Sequence, residues 1–233
     1  MLNEKWVLCL KHGTKYSYDY VNKLYNMTKR NLTIPFRFAC ITEDPLGLHP
    51  NIHHIPLPDY NLSGWWFKPW VFSDEMPIHG EILFIDLDVV IINNIDDIFQ
   101  YEPTKFSIIR DFTRASIPTW TKFNSSVFKF KSANYHHLWD ILKNDFNQIH
   151  SFHGDQDFLN KYLTDNFEYF PDNWIRSYKW EVRNRNELIK IENKITFQQK
   201  SAPIIHPDTK ILVFHGDPKP SDVIDDIIIN HWI

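Results

Sequence analysis

The run Ile82-Leu83-Phe84-Ile85-Asp86-Leu87-Asp88-Val89-Val90-Ile91-Ile92 holds two carboxylates one residue apart in an otherwise apolar stretch. Read as one β-strand, it sends side chains at i and i+2 to the same side, so Asp86 and Asp88 face one way together. Two neighbouring like charges on a largely buried strand are costly unless a cation compensates them. A divalent metal does so, because hard cations take oxygen ligands. The bland alternative is a strand that ends here and leaves both side chains in water. Against it, Val89 to Ile92 continue the apolar run beyond the pair. The pair is therefore expected to form a metal site at a strand end.

Working outward, Trp6 to Leu10 reads as a first strand, and Ser17 to Lys29 as a helix with Tyr18, Val21, Leu24, Tyr25 and Thr28 at helical spacing. Phe36–Thr42 and Ile52–Ile55 read as strands. Gly64–Asp74 reads as a turn plus helix carrying Trp65, Trp66, Lys68 and Trp70, with Pro69 early in it. After the Asp pair come a short helix within Asn93–Phe99, strands at Phe106–Arg110 and Ser126–Phe130, a helix from Ser132 (as N-cap) to Phe146, a helix at Gly154–Leu163 and a last strand at Leu212–His215. Arg183 to Ile195 reads as a mobile surface segment. Strands alternating with helices predict an α/β layer fold. Ligands of open α/β sheets bind at the carboxyl ends of strands. The loop after the first strand, the Asp pair and the loop after the last strand all fall there, which predicts one cleft.

A chain of 233 residues is expected to form a single domain over 1–233. Its net charge is −4 and its only paired basic residues near a helix end are Lys29-Arg30, so a nucleic-acid partner is not suggested. The opening segment is too short for a signal h-region, and no apolar run reaches the span of a membrane helix. Cys9 and Cys40, each in a strand-like stretch, read as buried free thiols in a reducing cytosol, so the expected location is cytoplasmic.

A metal held by two carboxylates wants further ligands. The apolar strand Ile211-Leu212-Val213-Phe214 delivers His215, then Gly216-Asp217-Pro218-Lys219-Pro220, an arrangement suited to a metal ligand followed by a phosphate contact. Asp86-Leu87-Asp88 resembles the DxD motif of nucleotide-sugar glycosyltransferases of the GT-A fold. The whole chain resembles the small retaining enzymes around glycosyltransferase family 8. The segments that carry the resemblance, in order, are Leu10 to Tyr16, Gly64-Trp65-Trp66-Phe67-Lys68, the Asp pair, Asp155-Gln156-Asp157-Phe158-Leu159-Asn160, and His215 to Pro220.

The resemblance implies a GT-A fold, with a Rossmann-like mixed, mainly parallel sheet flanked by helices. It also implies transfer of a hexose from a nucleoside-diphosphate sugar, a UDP-sugar, to a glycan or other hydroxyl acceptor, with retention and with Mn²⁺ or Mg²⁺. By position, Asp86 contacts metal and ribose, and Asp88 and His215 ligate the metal. Lys219, with Gly216 in the same loop, pairs with the diphosphate, and Lys68 reaches the donor. Asn124 and Ser125 lie beside the donor sugar, and Asp111 contacts it. Asp155 holds its hydroxyls, Gln156 lies on the reacting face of the anomeric carbon, and Leu10, Lys11 and Tyr16 flank the nucleobase. Trp65, Trp66 and Trp70 either line a sugar site by stacking or pack the core.

One departure stands out. Gly216 follows His215 directly and Ser221 follows Pro220, where the family has two intervening residues and a Trp. Two rival functions account for part of the same pattern. A Mg²⁺ phosphatase of the haloacid dehalogenase type shares an apolar strand followed by Asp-x-Asp, but places it on its first strand and leaves the Gly64 and Asp155 segments unexplained. A sugar-nucleotide-binding protein without catalysis has no use for the full set of Asp86, Asp88, His215 and Gln156.

Overall fold

In the computed structural model, residues 4–192, 194–198 and 200–233 are described. The strands are β1 (Lys5–Lys11), β2 (Arg37–Thr42), β3 (His53–Ile55), β4 (Glu81–Ile85), β5 (Val89–Ile91), β6 (Phe106–Arg110), β7 (Phe123–Lys131), β8 (Phe167–Tyr169), β9 (Ile175–Ser177), β10 (Leu188–Ile191), β11 (Lys194–Phe197) and β12 (Ile211–Val213). The α-helices are α1 (Tyr18–Asn31), α2 (Asp96–Gln100), α3 (His136–Asn144), α4 (Asp155–Tyr162) and α5 (Asp226–His231).

The main sheet runs β3-β2-β1-β4-β7-β6-β8. β1 to β4 are mutually parallel, β7 runs antiparallel to both β4 and β6, and β8 is parallel to β6. This is the mixed, mainly parallel α/β sheet expected from the sequence. Period-two alternation splits its side chains between two cores. Val7, Cys9, Phe38, Cys40, Leu83 and Ile85 pack on one face with α1. Trp6, Leu8, Ala39, Ile41, Ile82 and Phe84 pack on the other with the Trp-rich segment and α3. Cys9 and Cys40 are free, buried and opposite one another in register.

The Asp86/Asp88 run is not one strand. β4 ends at Ile85, and Val89–Ile91 belong to a second sheet of order β5-β12-β9, in which β5 is antiparallel and β9 parallel to β12. The apolar run continues because both halves are buried, each in a different sheet. Asp86-Leu87-Asp88 is the crossover. The Asp86 amide still donates to the Ser126 carbonyl (2.8 Å), and the Asp88 carbonyl already accepts from the Phe214 amide (2.9 Å). The pair therefore sits where the two sheets part, which opens a cleft at that point.

Three smaller expectations change. Gly64–Phe72 is a 3₁₀ segment with Pro69 inside it, and buries Trp66 through Phe72. Ser132 is not the cap of a long helix: its hydroxyl accepts from the Gly80 amide (3.1 Å), a 3₁₀ turn spans Ser132–Asn134, and α3 starts at His136. The stretch expected as a surface segment from Arg183 has a buried origin. Arg183 is 4% exposed and bridges Glu187 (3.1 Å) and Asp225 (3.2 Å), and β10 and β11 form a hairpin above it. The Asp225 carboxylate is thus an ion-pair partner of this buried arginine.

Candidate functional site

The carboxyl ends of β1 and β4, the start of α4 and the segment after β12 converge on a cleft of about 410 Å³. Twelve of the fourteen residues expected at the site line it: Leu10, Tyr16, Lys68, Asp86, Asp88, Asn124, Ser125, Asp155, Gln156, His215, Gly216 and Lys219. Two do not. Lys11 is buried in β1, and the Asp111 carboxylate accepts from the Thr113 amide (2.9 Å), capping a 3₁₀ turn.

Each carboxylate of the pair has its own cation. Lys68, 6% exposed, reaches from the Trp-rich segment to Asp86 (2.9 Å) and to Asp155 at the start of α4 (3.2 Å). Its ammonium also donates to the Ser125 carbonyl (3.3 Å). Burial favours the neutral amine, but Asp155 and Asp86 outweigh it and hold Lys68 protonated. Asp86 is pushed up to about 6, chiefly by burial, with Lys68 opposing and Asp88 reinforcing the rise. Asp88 accepts from the Lys219 ammonium (2.6 Å) and from the Tyr16 hydroxyl (2.9 Å), and burial plus the Asp88 charge push the Tyr16 phenol up.

His215 follows β12. Its ring stacks on Phe112 (centroids 5.2 Å, planes 12° apart), and its Nε2 shares a hydrogen bond with the Ser177 hydroxyl (2.7 Å). Burial, and then the Lys179 charge, push it down to about 4, so the imidazole is neutral at pH 7. Gly216 has φ +67°, a left-handed conformation suited to glycine, and the Lys179 ammonium lies 3.0 Å from where a Cβ would stand.

Two carboxylates and a neutral imidazole have the chemistry of a divalent-cation site. The Ser177 contact engages one ring nitrogen and leaves the other for a ligand, as the hydrogen-bond partners of metal-bound histidines do. Among the described residues, however, no three such side chains are grouped as a formed metal site. The cations at the two carboxylates are Lys68 and Lys219.

The cleft is also lined by His12, Lys15, Gly64, Trp65, Leu87 and Ser126, sequence neighbours of the residues expected there. Trp65 parts company with its neighbours. Trp66 and Trp70 are core, whereas Trp65 is 53% exposed at the cleft edge and faces Gly154, with its Nε1 3.4 Å from that residue's Cβ position. Ser177 and Lys179 were not selected from the sequence. They meet the His215 segment only through the β9–β12 pairing, and nothing in their local sequence signals it.

No family model matches the sequence, and no curated protein matches it. Solved structures do match in fold. The galactosyltransferase LgtC, solved with donor and acceptor sugar analogues, matches with a TM-score of 0.64 at 12% identity, over 92% of this chain and 88% of LgtC. The apo glycosyltransferase GlyE of Streptococcus pneumoniae TIGR4 matches with a TM-score of 0.65 at 12% identity, over 99% of this chain and 60% of GlyE. The bifunctional glycosyltransferase WbbM matches with a TM-score of 0.60 at 11% identity, over 99% of this chain and 50% of WbbM. The chain thus spans most of LgtC but only 60% of GlyE and half of WbbM. No helix among the described residues is long and apolar enough to cross a membrane. In its sheet order, its layers and its alignment with these structures, the chain has the GT-A glycosyltransferase fold.

Proposed function

We propose that this chain is a metal-assisted glycosyltransferase that moves a hexose from a nucleoside-diphosphate sugar, a UDP-sugar, to the hydroxyl of a saccharide or similar acceptor, with retention. The observation that carries the reading is the single cleft lined by twelve residues drawn from six separate sequence segments. The match of the fold to glycosyltransferases supports it over a phosphatase of the haloacid dehalogenase type.

In this reading Leu10 and Tyr16 border the nucleobase, with Lys11 behind them, and Asp86 meets the ribose. Lys219 moves from Asp88 to the diphosphate as the donor enters. Asn124, Ser125 and Asp155 hold the sugar, with Asp111 close by. Asp86, Asp88 and His215 would hold a Mn²⁺ or Mg²⁺ ion, which supplies Lewis-acid stabilisation of the leaving diphosphate. Lys68 offsets the charges of Asp86 and Asp155 in a half-dry cleft, where fixed charges act strongly. Gln156 is a poor nucleophile, so front-side attack is favoured. The C1–O bond to the diphosphate breaks, the acceptor oxygen bonds C1 on the same face, and the acceptor proton passes to the leaving phosphate oxygen. In keeping with its exposure beside Gly154 and Gln156, Trp65 stacks on the acceptor.

The direct test is a thermal-shift screen of nucleoside diphosphates with and without Mn²⁺, followed by release of nucleoside diphosphate from a panel of sugar nucleotides. UDP with Mn²⁺ is expected to raise the melting temperature. No shift with any nucleotide, together with Mg²⁺-dependent hydrolysis of a phosphate ester that Asp86→Asn abolishes, would favour the phosphatase. A second expectation concerns Trp65→Ala. With a working donor and acceptor, it should raise the acceptor KM about three- to tenfold, the worth of one stacking contact, and leave donor hydrolysis unchanged. If hydrolysis and transfer fall together, Trp65 is not an acceptor contact.

A further inference from the structure

We propose that Lys179 is a positioning residue for the diphosphate, holding the loop after His215 from behind Gly216 and adding its charge to that of Lys219. This rests on the sugar-nucleotide reading above and extends it to a residue outside every segment of the resemblance.

Lys15, Lys68 and Lys219 line the cleft and Lys179 stands behind Gly216, and these cations are not alike. Lys68 is neutralised by Asp86 and Asp155, and Lys219 by Asp88. Lys179 is half-buried on the turn Tyr178–Val182 after β9 and, among the described residues, makes no ion pair. Its ammonium donates to a carbonyl, that of Asp217, at 3.1 Å. An ammonium taken partly out of water without a counter-ion is unfavourable. Burial and the nearby Lys219 charge both push Lys179 down. A bound dianion would relieve both effects, so the pair of lysines has the charge a diphosphate needs.

The loop geometry gives the same result. The left-handed Gly216 lets the chain pass the Lys179 ammonium, because a Cβ there would meet it at 3.0 Å. The bond from that ammonium to the Asp217 carbonyl restrains the segment that leads to Lys219. The segment between His215 and Lys219 is short, with Gly216 directly after the histidine. A tether from β9 sets the direction in which so short a loop offers its amides and Lys219.

The test is equilibrium binding of UDP, UMP and inorganic pyrophosphate to the full chain and to Lys179→Met and Lys179→Arg. The wild type should prefer UDP to UMP. Lys179→Met should weaken UDP and pyrophosphate about ten- to a hundredfold, the worth of a charged hydrogen bond. UMP should change less than about threefold, and the salt dependence of UDP binding should become shallower. Lys179→Arg should restore UDP affinity to within about threefold, which separates lost charge from lost fold. The proposal is overturned if Lys179→Met weakens UDP and UMP equally, or leaves UDP untouched while the wild type still prefers it. A wild type that binds neither UDP nor pyrophosphate overturns the sugar-nucleotide reading itself, and this proposal with it.

Discussion

Lys68→Met is expected to destabilise the protein by about 3 kcal/mol and to abolish donor use. Breaking a buried ion pair from one side leaves the other charge uncompensated, at a typical cost of about 3–5 kcal/mol. Two carboxylates are orphaned here, but they differ. Asp155 is 10% exposed at its side chain and Asp86 is 27% exposed, so Asp86 recruits water and the total stays near the lower end of the range. The variant also removes the donor to the Ser125 carbonyl. The pH dependence gives an internal check. Burial raises Asp86 and Lys68 opposes it, leaving Asp86 at about 6, so loss of Lys68 raises Asp86 further. The folded variant then binds protons more tightly than the unfolded chain, and its stability recovers as pH falls. Urea unfolding at pH 7.5 and pH 5 should show the deficit shrinking at the lower pH. The double variant Lys68→Met/Asp155→Asn should be more stable than Lys68→Met alone, because one orphaned charge is gone. A deficit that is constant with pH and unchanged by Asp155→Asn would mean that Lys68 stabilises by packing against Phe84 and its neighbours rather than by charge.

How much of this could be read from the chain depended on where the signal lay. Strands packed on both faces of one sheet appear as short apolar runs bounded by turns, and Phe106–Arg110 was placed to the residue. The helix at Tyr18–Asn31 was legible because Val21, Leu24, Tyr25 and Thr28 repeat on its buried side. The crossover at Asp86 was not. Leucine, valine and isoleucine on either side give the same apolar pattern whether the chain stays in one sheet or enters another, so only pairing partners distinguish the two cases. Either course of the chain aims the two carboxylates at the same cleft. Of the tryptophans, only position relative to Gly154 separates exposed Trp65 from buried Trp66. Lys179 and Ser177 come from a three-residue strand and the turn after it. Their meeting with His215 is a tertiary event with no local pattern, whereas Asp86, Gln156 and His215 each sat in a segment whose residue types already suggested chemistry.

Asp88→Asn is the substitution that separates a cation-binding carboxylate from a structural one, and its effect should reverse with conditions. In the structure the Asp88 carboxylate restrains Lys219 at 2.6 Å and accepts from Tyr16 at 2.9 Å. Asparagine has nearly the same volume and keeps one oxygen for Tyr16, so the melting temperature should change by only a few degrees. What it removes is the negative charge. Without divalent cation, that charge repels a diphosphate and ties up the lysine expected to bind it. Asp88→Asn should then bind UDP at least as tightly as the wild type. With Mn²⁺ present the order should invert. The wild type gains affinity through Asp88, while the variant gains little, and transfer should fall about 10²–10³-fold, the usual cost of losing one pre-organised electrostatic group. Calorimetric titration of UDP in chelator and in Mn²⁺, alongside a nucleotide-release assay, reads both arms. If Asp88→Asn loses UDP affinity in chelator, Asp88 acts by shaping the cleft through Tyr16 and Lys219, and its assignment as a cation ligand fails.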